Sequence, residues 1–344
     1  MVDVTIMGAG IFGLSVAWSC LQKGATVRVI DPHGVAAGSS GGVVGALAPH
    51  TPERWEPKKD FQLESLLMAE AYWAEIETIS SQSSGYGRTG RLQPILDEHG
   101  RNLAEERIDQ ARELWRGQAI WEIIPANQAD GWAPQSPTGY LVHDTLSARI
   151  HPRQACTALA VAIRALGAEI VTEGSEEGSI VWATGLAGLE TLAKEFEKPI
   201  GNGVKGQAML LDHDARDRPQ LFAGGIHVIP HADGTTGIGS TSERYYGSPR
   251  ETDELLEGVY ERALEAFPVL KNAKVLSRWA GVRPRSKSRA PMLGAWPARG
   301  GHYVANGGFK IGFGMAPRAG QVMADLVLEG RDDIPEGFRV IDNF

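Results

Sequence analysis

The chain has 344 residues, 42% of them hydrophobic, which is enough to bury sizeable cores in two domains rather than one. A formal net charge of −8 argues against a nucleic-acid footprint. No apolar run approaches the length of a membrane span, and the N-terminus opens directly on a strand-like "VDVTIM", so the expectation is a soluble cytoplasmic protein.

Residues 2–7 read as that strand and run straight into "GAGIFG". Ile11, Leu14, Trp18 and Leu21 then recur at helical spacing, and Gly24 closes the helix. "TVRVI" is a second strand with Asp31 at its end, which completes a βαβ opening. In that setting Gly8 makes the tight turn, Gly10 lets backbone approach a pyrophosphate, and Gly13 lets the helix pack on the strand. The pyrophosphate would sit on the positive end of the helix that Ile11 opens. Asp31 is placed to accept hydrogen bonds from an adenosine ribose, and with no arginine beside it NADP is disfavoured. FAD and NAD both satisfy these residues.

The stretch "GSSGGVVGALAP", residues 38–49, has neither a helical nor a strand period. A flavin's pyrophosphate, ribityl chain and ring need a long, close-fitting path of backbone donors, which Ser39, Ser40, Gly41 and Gly42 could supply. A mobile surface loop would have the same composition. From Leu63 the positions Ala69, Tyr72, Trp73, Ile76 and Ile79 mark an amphipathic helix. "GRLQPIL" and "GYLVHD" read as strands around a polar helix at 102–116, and a further helix runs from about Arg153 to Gly167. "AEIV" and "SIVWATG" follow as short apolar strands, then strand-like runs fill 204–241. A helix from Thr252 stops before Pro268; "KVLSRWAGVRP", "HYVANGG" and a last helix with Pro317 near its first turn complete the chain. This order predicts an α/β chain with a Rossmann-like nucleotide-binding domain built from 1–50, 147–203 and 282–344. A substrate domain with a mixed, largely antiparallel sheet would be inserted as 51–146 and 204–281.

Glycine is the one unusual count, 42 residues, about 12% against a usual value of roughly 7%. Four of these glycines, Gly307, Gly308, Gly312 and Gly314, surround Phe309, Lys310 and Ile311 in "GGFKIGFGMAPRAG". They would let backbone lie against a flavin ring, while the helix starting near Pro317 aims its amides at the pyrimidine side, where a reduced flavin is anionic. Lys310 is then the cation left facing substrate, unless it is an ordinary solvated lysine. Arg283 in "WAGVRP" offers a planar fork that matches a carboxylate; an ion pair within the sheet is the alternative. Cys20 and Cys156 lie in apolar helical patterns and nine histidines form no ligand cluster, so neither a disulfide framework nor a metal site is expected.

Taken together, "GAGIFG" with Asp31, "GSSGGVVGALAP", "VWATG", "VKGQ", "GSTSE", "WAGVRP" and "GGFKIGFGMAP" resemble the glycine oxidase/sarcosine oxidase/D-amino-acid oxidase family of FAD-dependent amine oxidases. The resemblance covers nearly the whole chain, and the order and spacing are those of glycine oxidases especially. It implies that Gly8, Gly10, Gly13 and Asp31 hold the ADP half of FAD. Ser39, Ser40, Gly42 and Ala46 would line the flavin path, and Ala183 and Gly185 would touch the nucleotide. Arg283 falls where the family binds the substrate carboxylate, and Lys310 where glycine oxidases have arginine and sarcosine oxidases have lysine. His227 and Ser242 stand where glycine oxidases place a tyrosine and a methionine beside the substrate, so the pocket wall differs and glycine itself is in doubt. No cysteine follows Cys156, so the late-cysteine flavin linkage of some sarcosine oxidases is absent and non-covalent FAD is expected.

The implied reaction is oxidation of a small amino acid or secondary amine by hydride transfer to flavin. It would give an imine, then a 2-oxo acid, with oxygen reoxidising the flavin to form peroxide. A dehydrogenase serving a quinone or carrier and an oxidase acting on a glycine-modified tRNA base stay open; the acidic composition weakens the latter. A homo-oligomer is also left open.

Overall fold

A four-residue strand, a glycine turn and a twelve-residue apolar helix begin the chain, and the first sheet grows outward from that strand. The computed structural model describes residues 1–344. The first half runs β1 (Val4–Met7), α1 (Ile11–Gln22), β2 (Val27–Ile30), β3 (Ala46–Leu47), α2 (Pro57–Ser80) and β4 (Arg91–Pro94). It continues through α3 (Glu98–Leu114), β5 (Trp121–Pro125), β6 (Tyr140–Asp144), β7 (Ala148–Arg149) and α4 (Pro152–Ala165). The second half has β8 (Glu169–Val171), β9 (Ser179–Trp182), α5 (Gly185–Phe196), β10 (Gly201–Asp212), β11 (Gln220–Ala223) and β12 (Ile226–Pro230). Then come β13 (Thr235–Gly239), α6 (Glu254–Ala266), β14 (Lys274–Ser286), β15 (Met292–Ala295), β16 (His302–Asn306) and α7 (Gly312–Glu329).

Six strands form one sheet in the order β15-β16-β9-β1-β2-β8, parallel except for β15. The strand order turns at β1, with β2 on one side and β9 on the other. The crevice beyond the C-terminal ends of β1 and β9 is therefore where such a sheet takes its ligand. A second sheet of eight strands runs β14-β10-β13-β12-β11-β4-β6-β5, antiparallel apart from the β11–β4 pair. The β10–β14 ladder extends from Gly201–Ser286 to Asp212–Lys274, so the divisions at 203/204 and 281/282 fall inside these two strands. No helix is long and apolar enough to cross a membrane.

The main core joins Leu14 and Val16 of α1, Leu66, Trp73 and Ile76 of α2, Leu159 of α4, and Val322 and Met323 of α7. A second core fills the space between the eight-stranded sheet and α6, around Met209, Val228, Leu256 and Phe267.

Three elements differ from the sequence expectation. The final helix begins at Gly312, with Pro317 inside it rather than near its start. Proline there removes a single helical hydrogen bond, and the burial of Met315, Ala316, Ala319 and Val322 around it offsets that loss. Helix α2 begins at Pro57, ahead of Leu63, because its first turn is polar and carries no apolar period. Helix α5 is not anticipated; its first residue, Gly185, reads as the end of the strand "SIVWATG".

Helices α1 and α7 approach closely at Gly320, where a Cβ would lie 2.5 Å from the Ser15 carbonyl oxygen. Exchanging glycine for alanine within a helix ordinarily gains about 1 kcal/mol. Here the obstacle is backbone, which cannot swing aside, and overpacking costs about 1–3 kcal/mol. Gly320→Ala is expected to lower stability in urea unfolding; a stabilised variant would show that the helices can part.

Candidate active site

Where β1 ends, the chain must turn beneath α1 without touching the loop after β9. Gly8 does so at φ 110°, and a Cβ there would sit 2.5 Å from the Ala183 carbonyl oxygen. A Cβ at Gly13 would overlap the Gly8 carbonyl. Ala183 is pinned by its own amide to the Met7 carbonyl at 2.7 Å, so both loops converge on one point. The Ile11 amide donates to Ser40 Oγ at 3.0 Å, so it fastens the 38–45 segment to α1 rather than remaining a free donor. The amides of Gly10, Phe12 and Gly13 find no acceptor within the chain and remain at the positive end of the helix. Asp31 accepts from the Ala9 amide at 2.8 Å and the His33 amide at 2.9 Å, holding the turn in shape with lone pairs to spare.

Segment 38–45 makes a short 3-10 turn at Ser39–Gly41 and then runs extended. The amides of Gly42, Val43, Val44 and Gly45 donate to no group of the protein, although Gly42, Val43 and Gly45 are buried. Buried backbone donors are almost always paired. Four in succession, beside the free amides of α1, fit a long ligand rich in acceptors such as FAD. The segment is also held from behind. The Val43 carbonyl accepts from His231 Nε2 at 3.0 Å, and Ala46 pairs with Arg149 across β3–β7.

The loop after β16 closes on the same crevice. Asn306 donates from its side-chain nitrogen to the Gly185 carbonyl at 2.8 Å and accepts from the Gly307 amide at 2.7 Å. Gly307 adopts φ 72°, and the Phe309 amide donates to the Pro284 carbonyl at 3.0 Å. A Cβ at Gly308 would meet the Phe12 ring at 2.9 Å. Ile311 caps α7 and Gly312 is its first residue, so the amides of Gly312, Phe313 and Gly314 form the free helix end.

Arg283, on β14, donates from Nη2 to Ser240 Oγ at 2.7 Å and from Nη1 to the Thr241 carbonyl at 3.3 Å. Both acceptors are neutral. Burial pushes its pKa down to about 10, with the Glu243 charge acting in the opposite direction. Its guanidinium lies across Gly206 of the neighbouring strand, where any Cβ would overlap it. Lys310 also lacks a carboxylate partner; its Nζ is 5.7 Å from the Phe309 ring centroid. It keeps solvent exposure, while partial burial and then the Arg283 charge lower its pKa. His227 packs tilted against Phe222 with ring centroids 4.5 Å apart, and its buried Nδ1 has no partner. Burial first, then the charges of Arg91, Lys310 and Arg283, push its pKa down to about 3, so its imidazole is neutral. Arg91 is itself neutralised by Asp144 at 2.9 Å. The fold thus brings Arg283, Lys310 and His227 into one electrostatic neighbourhood.

The sequence reading does not single out Gly206, Ser240, Asn306 or His231, although "VKGQ" and "GSTSE" contain the first two. His50 is held by Gln62, with Nδ1 2.5 Å from Oε1, and burial lowers its pKa.

Two measurements follow from this geometry. Gly206→Ala should displace the Arg283 guanidinium and weaken acid ligands about tenfold or more, with cofactor content unchanged. Unaltered acid binding would show that Arg283 has room elsewhere. Separately, His50, His151, His227 and His231 all have pKa values lowered from 6.5, first by burial. The unfolded chain therefore takes up protons below pH 6.5 that the folded chain refuses, and stability must fall as pH drops through that region toward about 4. Urea unfolding across this window should show the slope; a flat profile would mean these rings protonate in place.

The DAO family, described as FAD dependent oxidoreductase, matches residues 3–326. The chain is 26% identical over 347 residues to the bifunctional protein ThiO/ThiG of Synechocystis, covering 95% of this chain but 52% of that one, so it spans about half of that relative's length. It is 25% identical over 360 residues to the glycine oxidase of Pseudomonas putida, covering 94% of each. The solved iminodiacetate oxidase of Chelativorans superposes with a TM-score of 0.85 at 20% identity over 98% of both chains, a likeness of fold. With the family match spanning nearly its full length, the chain belongs to the DAO family of FAD-dependent oxidoreductases, and FAD is its cofactor.

Proposed function

We propose that this protein oxidises a small amino acid or secondary amine, with FAD held non-covalently in the crevice of the six-stranded sheet and substrate bound against the eight-stranded one. The observation that carries this reading is Arg283: a part-buried guanidinium with two neutral acceptors and no carboxylate of the protein beside it. A ligand carboxylate would complete its charge. Lys310, equally without an acidic partner, adds a second cation for the acid group. His227, being neutral, presents an uncharged wall that does not repel the substrate amine as a third cation would. When bound, FAD supplies the acceptor for a hydride from the substrate α-carbon and returns its electrons to oxygen as peroxide. The protein's own groups contribute orientation, and no side-chain base is needed if the amine binds neutral. Glycine oxidases and an iminodiacetate oxidase among the relatives support an amine donor bearing a carboxylate.

Acid precipitation of the pure protein should leave a yellow supernatant; colour retained in the pellet would rule out non-covalent FAD. Anaerobic bleaching against a panel of amino acids and secondary amines identifies the donor, and readmitted air should restore the colour with peroxide formed. Slow reoxidation would point to a carrier instead of oxygen. Arg283→Leu should raise KM about ten- to a hundredfold at normal flavin content. Lys310→Met should weaken an acid inhibitor far more than an uncharged amine of similar size. Equal weakening of the two would mean that Lys310 only covers the cofactor loop.

A further inference from the structure

Behind Arg283, on the opposite face of β10, lies an ionic network around the buried Lys205 and Gln207, with the exposed Asp253 at its edge, that plays no direct part in the reaction above. Lys205 and Gln207 alternate with Gly206, so they share one face of the strand while the Arg283 guanidinium lies against the other. Lys205 is 1% exposed and Gln207 is fully buried. Lys205 Nζ reaches Asp253 at 3.0 Å and Glu243 at 3.7 Å. Gln207 Nε2 donates to Glu243 at 2.9 Å and to Asp253 at 2.7 Å, and its carbonyl oxygen accepts from the Asp253 amide at 2.8 Å. The Thr241 hydroxyl donates to Glu243 and accepts from the Gln207 amide.

The segment Ser240–Glu243 is the link. Its Ser240 hydroxyl and Thr241 carbonyl are the two acceptors that seat Arg283. Its other end is fastened to β10 by paired amide bonds between Lys205 and Glu243, each 2.9 Å. We propose that Lys205, Gln207, Glu243 and Asp253 are positioning residues that hold Ser240 and Thr241, and through them the Arg283 fork, in the geometry that accepts a carboxylate. This role rests on the reading of Arg283 as the carboxylate anchor.

Stability alone does not account for such a network. Burying an ammonium with carboxylates seldom adds net stability over apolar packing of the same volume, whereas it fixes one arrangement of the groups it joins. The network also holds two carboxylates for one ammonium, so it leaves a negative charge behind the guanidinium. Glu243 is the group whose field favours the charged form of Arg283. Asp253 ties the same unit to α6, whose Leu255 amide it accepts at 3.1 Å.

The test uses the FAD-loaded protein and titrates the flavin spectrum with methylthioacetate and with its uncharged amide. Glu243→Gln keeps size and hydrogen bonding and removes the charge. It should weaken the acid about tenfold and the amide less than twofold, with flavin content unchanged. Asp253→Asn, which still caps α6, should act in the same direction and carries the test if Glu243→Gln does not fold. In an Arg283→Leu background, Glu243→Gln should cause no further loss of acid binding. Equal loss for both ligands, no loss, or a loss that persists without Arg283 would each overturn the positioning role. If Arg283→Leu alone causes no acid-selective loss, the anchor reading fails and the positioning role with it.

Discussion

A guanidinium partly withdrawn from water must be compensated, and in this fold the protein supplies only part of the compensation. Arg283 has a hydroxyl, a carbonyl and the more distant charge of Glu243. Arg283 is part-buried and has no direct carboxylate, so the protein leaves its charge incompletely paired. The surrounding features follow from that constraint. Gly206 vacates the space, the Lys205 network stiffens the acceptors, and His227 stays neutral so that a third positive charge is not added.

The excess of glycine has the same physical origin in several places: close approach of backbone or charged groups. Gly13 lets α1 press on the turn that precedes it, and Gly45 lets the cofactor segment pass the Ile150 carbonyl. Gly206 admits a side chain rather than a backbone. At Gly13 and Gly45 a methyl group would meet backbone that cannot move away cheaply, and at Gly206 it would displace the tip of the Arg283 side chain, so the glycines act by occupying nothing.

Much of this was legible from the residues alone, for reasons that can be named. The βαβ opening announces itself because Gly8, Gly10, Gly13 and Asp31 have local jobs within thirty residues. Arg283 and Lys310 stand out because each sits among small or apolar neighbours. What stayed hidden is long-range. Gly206 pairs with Gly281, two residues before Arg283, so only the β10–β14 register brings it beneath the guanidinium. Asn306 joins its neighbour Gly307 to Gly185, 121 residues before it. His231 reaches Val43 across 188 residues, and no local pattern marks a side chain whose partner is a distant carbonyl. Helix α5 was missed because glycine weakens a helical period, and the start of α7 was misplaced because proline usually marks a first turn rather than a sixth residue.

The connection between the two sheets gives these parts their coherence. β14 carries Arg283 in its ladder with β10, and one residue later the Pro284 carbonyl accepts the Phe309 amide. Arg283 and the loop bearing Lys310 are thus fixed to one strand at adjacent residues. That loop in turn rests on Phe12 of α1 through Gly308, while Asn306 anchors it beside Gly185. A displacement of β14 would move the Arg283 fork and the loop bearing Lys310 together. Their relative placement, on which orientation of a bound amine depends, is therefore set by the covalent chain and a single ladder, and not by packing between independent domains.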